Sequence, residues 1–363
     1  MIDRIYTSFS LKEKYFGPQV PYMVSTSGGS KQIWLAGGAG SHPEFRAYGT
    51  ESPILSPDNT SFAYIAEQTP PARLCVCAVD GSYNSTIMTQ SISGGSLRSP
   101  YWLNNNQIVY INVNEYGHFL GPHTINVINK DGSGNTVLWT NDTNYGIPLY
   151  LSCSPSGNYI QFSIRREVPE YTRPNELWVM NANGSNPHLI YTAPLVGTQQ
   201  FEGYTNWGWQ HGADVVGFSE ITSWAPTTQR WRTMNWDGSG LTTILANDTG
   251  WADIGESIFS WLTNDSAMVG LRATGGTPPY QLYTVAANGS GATAISPARY
   301  THDQAGFGYY KSTVCVIRGR IYWVEGLYYN HLSSIAEDGS DYRVEHVFAN
   351  DGLVWHGFLY YGQ

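Results

Sequence analysis

The sequence predicts an all-β protein folded as a single seven-bladed β-propeller over residues 1–363, four antiparallel strands to a blade, with the closing blade shared between the N- and C-termini. Three observations predict it. A Gly-Ser pair, usually preceded by Asp or Asn, recurs at Gly29-Ser30, Gly81-Ser82, Gly132-Ser133, Gly184-Ser185, Gly238-Ser239, Gly289-Ser290 and Gly339-Ser340. Successive glycines lie 52, 51, 52, 54, 51 and 50 residues apart, a period that belongs to solenoids and propellers. The 29 residues up to Gly29 and the 24 after Gly339 together make one further repeat of 53.

Each repeat supplies two hairpins. In the second, Leu74–Val79 runs into Asp80-Gly81-Ser82 and Thr86-Ile87-Met88 leaves it; Glu176–Met180 and His188–Tyr191 flank Asn183-Gly184-Ser185 in the same way. Asp-Gly and Asn-Gly suit tight hairpins because they tolerate positive φ. Gly81, Gly132, Gly184, Gly238, Gly289 and Gly339 are therefore expected at positive φ, all on one face. Upstream, Ile54-Leu55 and Phe62–Ile65 are joined by Ser56-Pro57-Asp58-Asn59, and Ser154-Pro155-Ser156-Gly157 precedes Tyr159–Phe162. These four runs read as strands A to D, the content of one propeller blade. At the ends, Arg4–Phe9, Tyr22–Ser25 and Gln32–Leu35 read as strands B, C and D of the closing blade, with strand A from Leu353–Tyr360. Sharing a blade in this way leaves no open sheet edge between first and last blades.

The stretches Ser56-Pro57-Asp58-Asn59 with Cys77-Ala78-Val79-Asp80-Gly81-Ser82, and Ser154-Pro155-Ser156-Gly157-Asn158-Tyr159 with Leu177-Trp178-Val179-Met180-Asn181-Ala182-Asn183-Gly184-Ser185, resemble the TolB-type (PD40, WD40-like) propeller repeat. The hairpin half covers the whole chain, while the Ser-Pro-Asp half is clear only at Ser56 and Ser154. The resemblance implies the propeller fold and says almost nothing of activity, since such folds host unrelated functions. Peptidases with such propellers carry a separate hydrolase domain, so the resemblance implies no peptidase activity for these residues alone.

Composition narrows the function classes. A net charge of −9 with 19 basic residues argues against a nucleic-acid footprint, which needs a clustered basic face. No stretch approaches the 18 or more apolar residues of a membrane span. Met1–Ser8 lacks the basic and apolar regions of a signal peptide. Four cysteines are too few for a disulfide framework and read as small buried hydrophobes; Cys75 and Cys77, two apart on one strand, should share a face. Charged residues are 13% of the chain and aromatic ones 14%, so the surface is expected to be covered by hydroxyls, amides and rings. Such a surface suits an extracellular-facing or virion-surface protein, with cytoplasmic residence the alternative.

The A–B and C–D turns share one propeller face, and the B–C and D–A loops share the other. The C–D turns are short and stereotyped, whereas the opposite loops are long and aromatic. Function sits preferentially on such loops. The candidate ligand-binding residues are Tyr116, Tyr171, Trp224 and Tyr328 in B–C loops, with Arg46, Glu202, Trp251, His302 and Asp303 on D–A connectors nearer the axis. Rings beside Asn, Glu and His suit a sugar, whose C–H faces stack while its hydroxyls take polar partners. The nine histidines show no His-Glu-X-X-His, and neither Cys-X-X-Cys, Gly-X-Ser-X-Gly nor a P-loop occurs, so no metal or cofactor is predicted. The sequence thus reads as a non-enzymatic module that binds a glycan or a protein. The alternative is a polysaccharide lyase or glycosidase with its site at the axial mouth, which needs converging carboxylates or a histidine-held metal.

Overall fold

The computed structural model describes residues 20–25, 31–36, 44–50, 53–67, 71–93, 95–113, 123–141, 146–166, 175–193, 206–224, 227–249, 260–273, 280–296, 314–317, 319–325, 331–347 and 360–361. The first sheet has three strands, β1 (Val20–Ser25), β2 (Lys31–Ala36) and β3 (Glu44–Tyr48). Blade 1 follows as β4 (Ile54–Leu55), β5 (Ser61–Glu67), β6 (Ala72–Ala78) and β7 (Asn84–Gln90). Blade 2 is β8 (Ser96–Trp102), β9 (Gln107–Val113), β10 (His123–Asn129) and β11 (Thr136–Thr140); blade 3 is β12 (Gly146–Cys153), β13 (Tyr159–Arg166), β14 (Asn175–Asn181) and β15 (His188–Thr192). Blade 4 comprises β16 (Asn206–Trp209), β17 (Val215–Trp224), β18 (Thr227–Asn235) and β19 (Thr242–Thr249). Blade 5 is β20 (Ser260–Trp261), β21 (Ala267–Ala273), β22 (Tyr280–Ala286) and β23 (Ala292–Ala294), and blade 6 is β24 (Cys315–Ile317), β25 (Arg320–Glu325), β26 (His331–Ala336) and β27 (Arg343–Val347). A last short strand, β28 (Tyr360–Tyr361), joins blade 1. Within every blade the four strands pair antiparallel in sequence order, which makes, among the described residues, an all-β propeller of six four-stranded blades beside a three-stranded sheet.

Alternation along the strands explains the packing. In β13, Ile160, Phe162 and Ile164 face blade 2, and in β17, Val216 and Phe218 face blade 3. The buried clusters therefore lie between blades. Indoles at the ends of innermost strands stitch the ring. Trp102 Nε1 donates to the Ile54 carbonyl at 2.9 Å, Trp209 Nε1 to Ser152 Oγ at 3.1 Å, and Trp261 Nε1 to the Gly208 carbonyl at 3.1 Å. Cys75 and Cys77 are buried on one face of β6, against Ile33 and Leu35, and with Cys153 they are free thiols.

The repeated turn behaves as its composition dictates. The six glycines 81, 132, 184, 238, 289 and 339 have φ of 76, 87, 82, 81, 77 and 83°. The residue before each glycine accepts from the Ser N–H two positions on, for example Asp131 from Ser133 at 2.9 Å and Asn183 from Ser185 at 3.0 Å. The hydroxyl of that serine, which also donates to the carboxylate, and then its N–H hold the exposed carboxyls of Asp131, Asp237 and Asp338 below the usual carboxylate range. These turns also lie against the outer edge of the preceding blade: Gly132 against Ile87, Gly184 against Leu138 and Gly238 against Ile190 of the outer strand, and Gly339 against Ile295 just past it.

At the two ends the structure corrects the expected frame. Gln32–Leu35 falls in the middle strand of the first sheet, and Glu44–Tyr48 forms its outer strand. Ile33, Leu35 and Ala47 are buried against Leu55, Phe62 and Tyr64 of blade 1, and that burial fixes the register. Gly29-Ser30, outside the described residues, falls in the chain between β1 and β2, one hairpin earlier than in the other repeats. Tyr360–Tyr361 pairs parallel with Ile54–Leu55, where antiparallel pairing with the N-terminal sheet was expected. The expected strand at Arg4–Phe9 and most of Leu353–Tyr360 lie outside the described residues.

Candidate functional site

The two propeller faces differ in how their polar groups are spent. On the A–B and C–D face, neighbouring blades exchange hydrogen bonds at the turns. Asp58 N–H donates to Asn105 Oδ1 at 2.9 Å and Ser156 Oγ to Asp214 at 2.8 Å. His211 and Gly212 N–H donate to the Asp265 carboxylate at 2.6 and 2.7 Å, and Thr263 N–H to Glu337 Oε1 at 2.8 Å. This face is occupied with holding blades together.

On the opposite face the B–C hairpin of blade 4 stands out. Its strands run ten and nine residues, and Trp224 pairs with Thr227 at the tip. A bulge falls between Ile221 and Ser223, where Thr222 Oγ1 meets Thr228 Oγ1 at 2.7 Å. Bulges bend a strand and re-aim its end.

Below the tip, the hairpin carries a charged cluster on its blade 3 side. Glu220 pairs with Arg230 across the ladder, and Phe218 with Arg232. The Glu220 side chain is fully buried, and Arg230, Arg232 and the Tyr191 hydroxyl all converge on it. Tyr191 comes from the outer strand of blade 3; its OH donates to Glu220 Oε2 and accepts from Arg232 Nη1 at 3.1 Å. The Arg232 guanidinium also lies 5.7 Å from the Tyr191 ring centroid, a cation–π contact. Burial and the adjacent Glu220 carboxylate push the Tyr191 phenol up to about 12, so it stays a donor. A buried carboxylate needs this company, since an unpaired charge in the interior is costly.

A second buried polar group lacks such company. His123, at the start of β10, is almost fully buried, and neither ring nitrogen has a hydrogen-bond partner among the described residues. Burial, and then the nearby Arg98 charge, hold its pKa below the ordinary histidine value. Gln161 Nε2 and Ser163 Oγ, on the blade 3 face turned to blade 4, are likewise buried and unpartnered.

Of the residues the sequence singles out, the structure corrects Arg46. It sits on the outer strand β3, not on a connector near the axis, and its Nε and Nη2 donate to the Val79 carbonyl at 3.3 and 3.2 Å beneath the Gly81 turn. Trp224 falls at the tip of the B–C hairpin of blade 4, on the expected face. Tyr116, Tyr171, Tyr328, Glu202, Trp251, His302 and Asp303 lie outside the described residues. Among the described residues no group of three or more His, Cys, Asp or Glu could hold a metal ion, and no helix is long and apolar enough to cross a membrane. Sequence reasoning missed Glu220, Arg230, Arg232, Tyr191 and His123. A signal for Glu220 was present: it continues the alternation Val216, Phe218 at a position where a third apolar residue belongs.

The architecture is that of a β-propeller, and solved structures share it. The propeller domain of the Trilobed protease from Pyrococcus furiosus, with an open velcro topology, is 11% identical, with a TM-score of 0.60 over 92% of this chain and 96% of that one. An oligogalacturonate lyase from Vibrio parahaemolyticus is 12% identical, with a TM-score of 0.59 over 85% and 83%. A puromycin-hydrolyzing peptidase from Mycobacterium tuberculosis is 10% identical, with a TM-score of 0.65 over 93% of this chain; the chain spans about half of that protein, 53%. Identities this low speak for the fold alone. No family model matches the chain, and no curated protein does.

Proposed function

We propose that the chain is a non-enzymatic binding module, closed as a seven-bladed ring, whose B–C face takes a glycan or a protein partner. The observation that carries this is the contrast between faces. The A–B and C–D turns spend their polar groups on one another, while the blade 4 hairpin extends on the other side and ends at Trp224. Large rings with flanking hydroxyls supply contact area and orientation for such ligands. The sequence assigns Tyr116, Tyr171 and Tyr328 to B–C loops, and we count them with the same face. A virion-surface or other outward-facing setting agrees with the low share of charged residues, 13%.

Closure into seven blades has its own support. Gly81 meets the Arg46 side chain on β3, at the place where later turns meet the outer strand of the blade before them. That makes the three-stranded sheet the neighbour preceding blade 1. β28 touches both β24 and β4, the innermost strands on either side of the gap, which supports the reading that the C-terminal segment fills a seventh inner position.

The test is a glycan array followed by titration of any hit against the native chain and Trp224→Ala. The expected result is at least tenfold weaker binding in the variant with an unchanged melting curve. The same preparation is assayed on oligogalacturonate, the substrate named for the Vibrio parahaemolyticus lyase. Turnover there would replace the binding module with the carbohydrate-active enzyme.

A further inference from the structure

The blade 3–blade 4 cluster holds more positive charge than its own carboxylate neutralises. Glu220 contributes one negative charge, and Arg230 and Arg232 contribute two positive ones. Among the described residues no second acidic group pairs with either arginine. In a chain of net charge −9 with only 19 basic residues, this excess stands out.

The donors are also unevenly used. Arg230 gives Nε and Nη2 to Glu220 and, among the described residues, leaves Nη1 unspent, with its side chain 29% exposed. Arg232 gives Nη1 to Glu220 and Tyr191 and, among the described residues, leaves Nη2 unspent, with its side chain 17% exposed. Its Nε is buried with no partner. Both guanidiniums are therefore fixed from within by a buried carboxylate while part of each fork stays open. A guanidinium held in this way binds a further oxyanion without a new cost in side-chain freedom.

Hydroxyls continue the row. Thr228 lies on the same face of β18 as Arg230 and Arg232, one step nearer the tip, and is bonded to Thr222. We infer that this cluster is a binding subsite for the carboxylate of an acidic sugar, the guanidiniums taking the carboxylate and the threonine hydroxyls the ring oxygens. The inference rests on the reading that the B–C face binds a glycan, and it names the chemical class of that glycan.

Methyl β-glucuronide and methyl β-glucoside test it, because they differ only in the carboxylate. Each is titrated into the native chain by calorimetry and by NMR of the arginine Nε–H groups, with inorganic phosphate as a third arm. The glucuronide is expected to shift the Arg230 and Arg232 signals and to bind about tenfold or more tightly than the glucoside, as a charge-assisted pair does. Salt should weaken it. Arg230→Gln should abolish the advantage and Arg230→Lys restore part of it. The native-chain NMR shifts decide the matter even where a variant fails to fold. Equal affinity for the two sugars, unmoved arginine signals, or phosphate binding as well as the glucuronide would each overturn the inference. A neutral glycan that still binds through Trp224 would show that the broader reading survives that failure. Glucuronide binding untouched by Trp224→Ala would show the reverse.

Discussion

Three glycines share one backbone conformation and differ only in what surrounds them, which lets strain be separated from packing. Gly184, Gly289 and Gly319 have φ of 82, 77 and 76°. A Cβ at Gly319 would meet nothing within 4 Å; at Gly289 it would come no nearer than 3.8 Å, to the Ile244 carbonyl oxygen. At Gly184 it would collide with the Leu138 carbonyl, a backbone group that no rotamer change can move aside. An L-residue in the left-handed region costs about 1–2 kcal/mol, offset by about 0.4–1 kcal/mol from the stiffer unfolded chain. Gly289→Ala and Gly319→Ala should therefore lose about 1 kcal/mol or less. Gly184→Ala carries the same strain plus the cost of overpacking, about 1–3 kcal/mol, and should lose about 2–4 kcal/mol. Urea unfolding is the assay of choice, because in a chain of 363 residues about 2 kcal/mol moves the melting midpoint by only roughly 2–3 °C. Equal losses in all three variants would refute the claim that C–D turns are packed blade to blade.

Glu220→Gln should destabilise the fold by about 3 kcal/mol, since it leaves two partly buried guanidiniums without their counter-charge; a Glu220→Gln, Arg230→Met double variant that recovers none of the loss would show that charge is not the cause. His123 gives a pH dependence of definite sign. Its folded pKa lies below the ordinary 6.5, so the neutral ring is favoured in the native state. Its contribution is fully present above pH of about 6.5 and is lost as pH falls toward the folded value. His123→Phe should flatten the urea midpoint between pH 5 and 7 (about the range in which an ordinary histidine titrates), and an unchanged slope in that variant would rule His123 out as its source.

The parts legible in the sequence are those governed by local chemistry. Asp-Gly-Ser and Asn-Gly-Ser specify a turn within four residues, through a side-chain acceptor and a positive φ, and all six glycines from Gly81 to Gly339 adopt it. The pairing of Cys75 and Cys77 on one buried face followed from strand alternation alone. At the N-terminus the same logic misled. Gly29-Ser30 carries the motif, but register there is set by Ile33, Leu35 and Ala47 packing on blade 1, a contact between segments that no local pattern reports. Arg46 was misplaced for the same reason, because a one-hairpin shift moves it from the axis to the rim.

The charged cluster was illegible for a different reason. Its members are Tyr191, Glu220, Arg230 and Arg232, spread over two blades, and each alone is an ordinary strand residue. What makes them a unit is the geometry of the seam. Tyr191 and Phe218 rings meet at 4.8 Å, which seats blade 4 against blade 3 and carries Glu220 under the Tyr191 hydroxyl. Once Glu220 is buried there, a cation must accompany it, and the cross-strand partner Arg230 supplies one. The second arginine exceeds that need. Arg232 also contacts Tyr191, which accounts for one of its nitrogens and for its ring contact but leaves Nε and Nη2 unexplained by the fold. Stability alone would be served by a single arginine, or by a well-packed apolar pair in its place. A buried carboxylate with two half-used guanidiniums is the arrangement expected where a site has been held ready for something outside the chain.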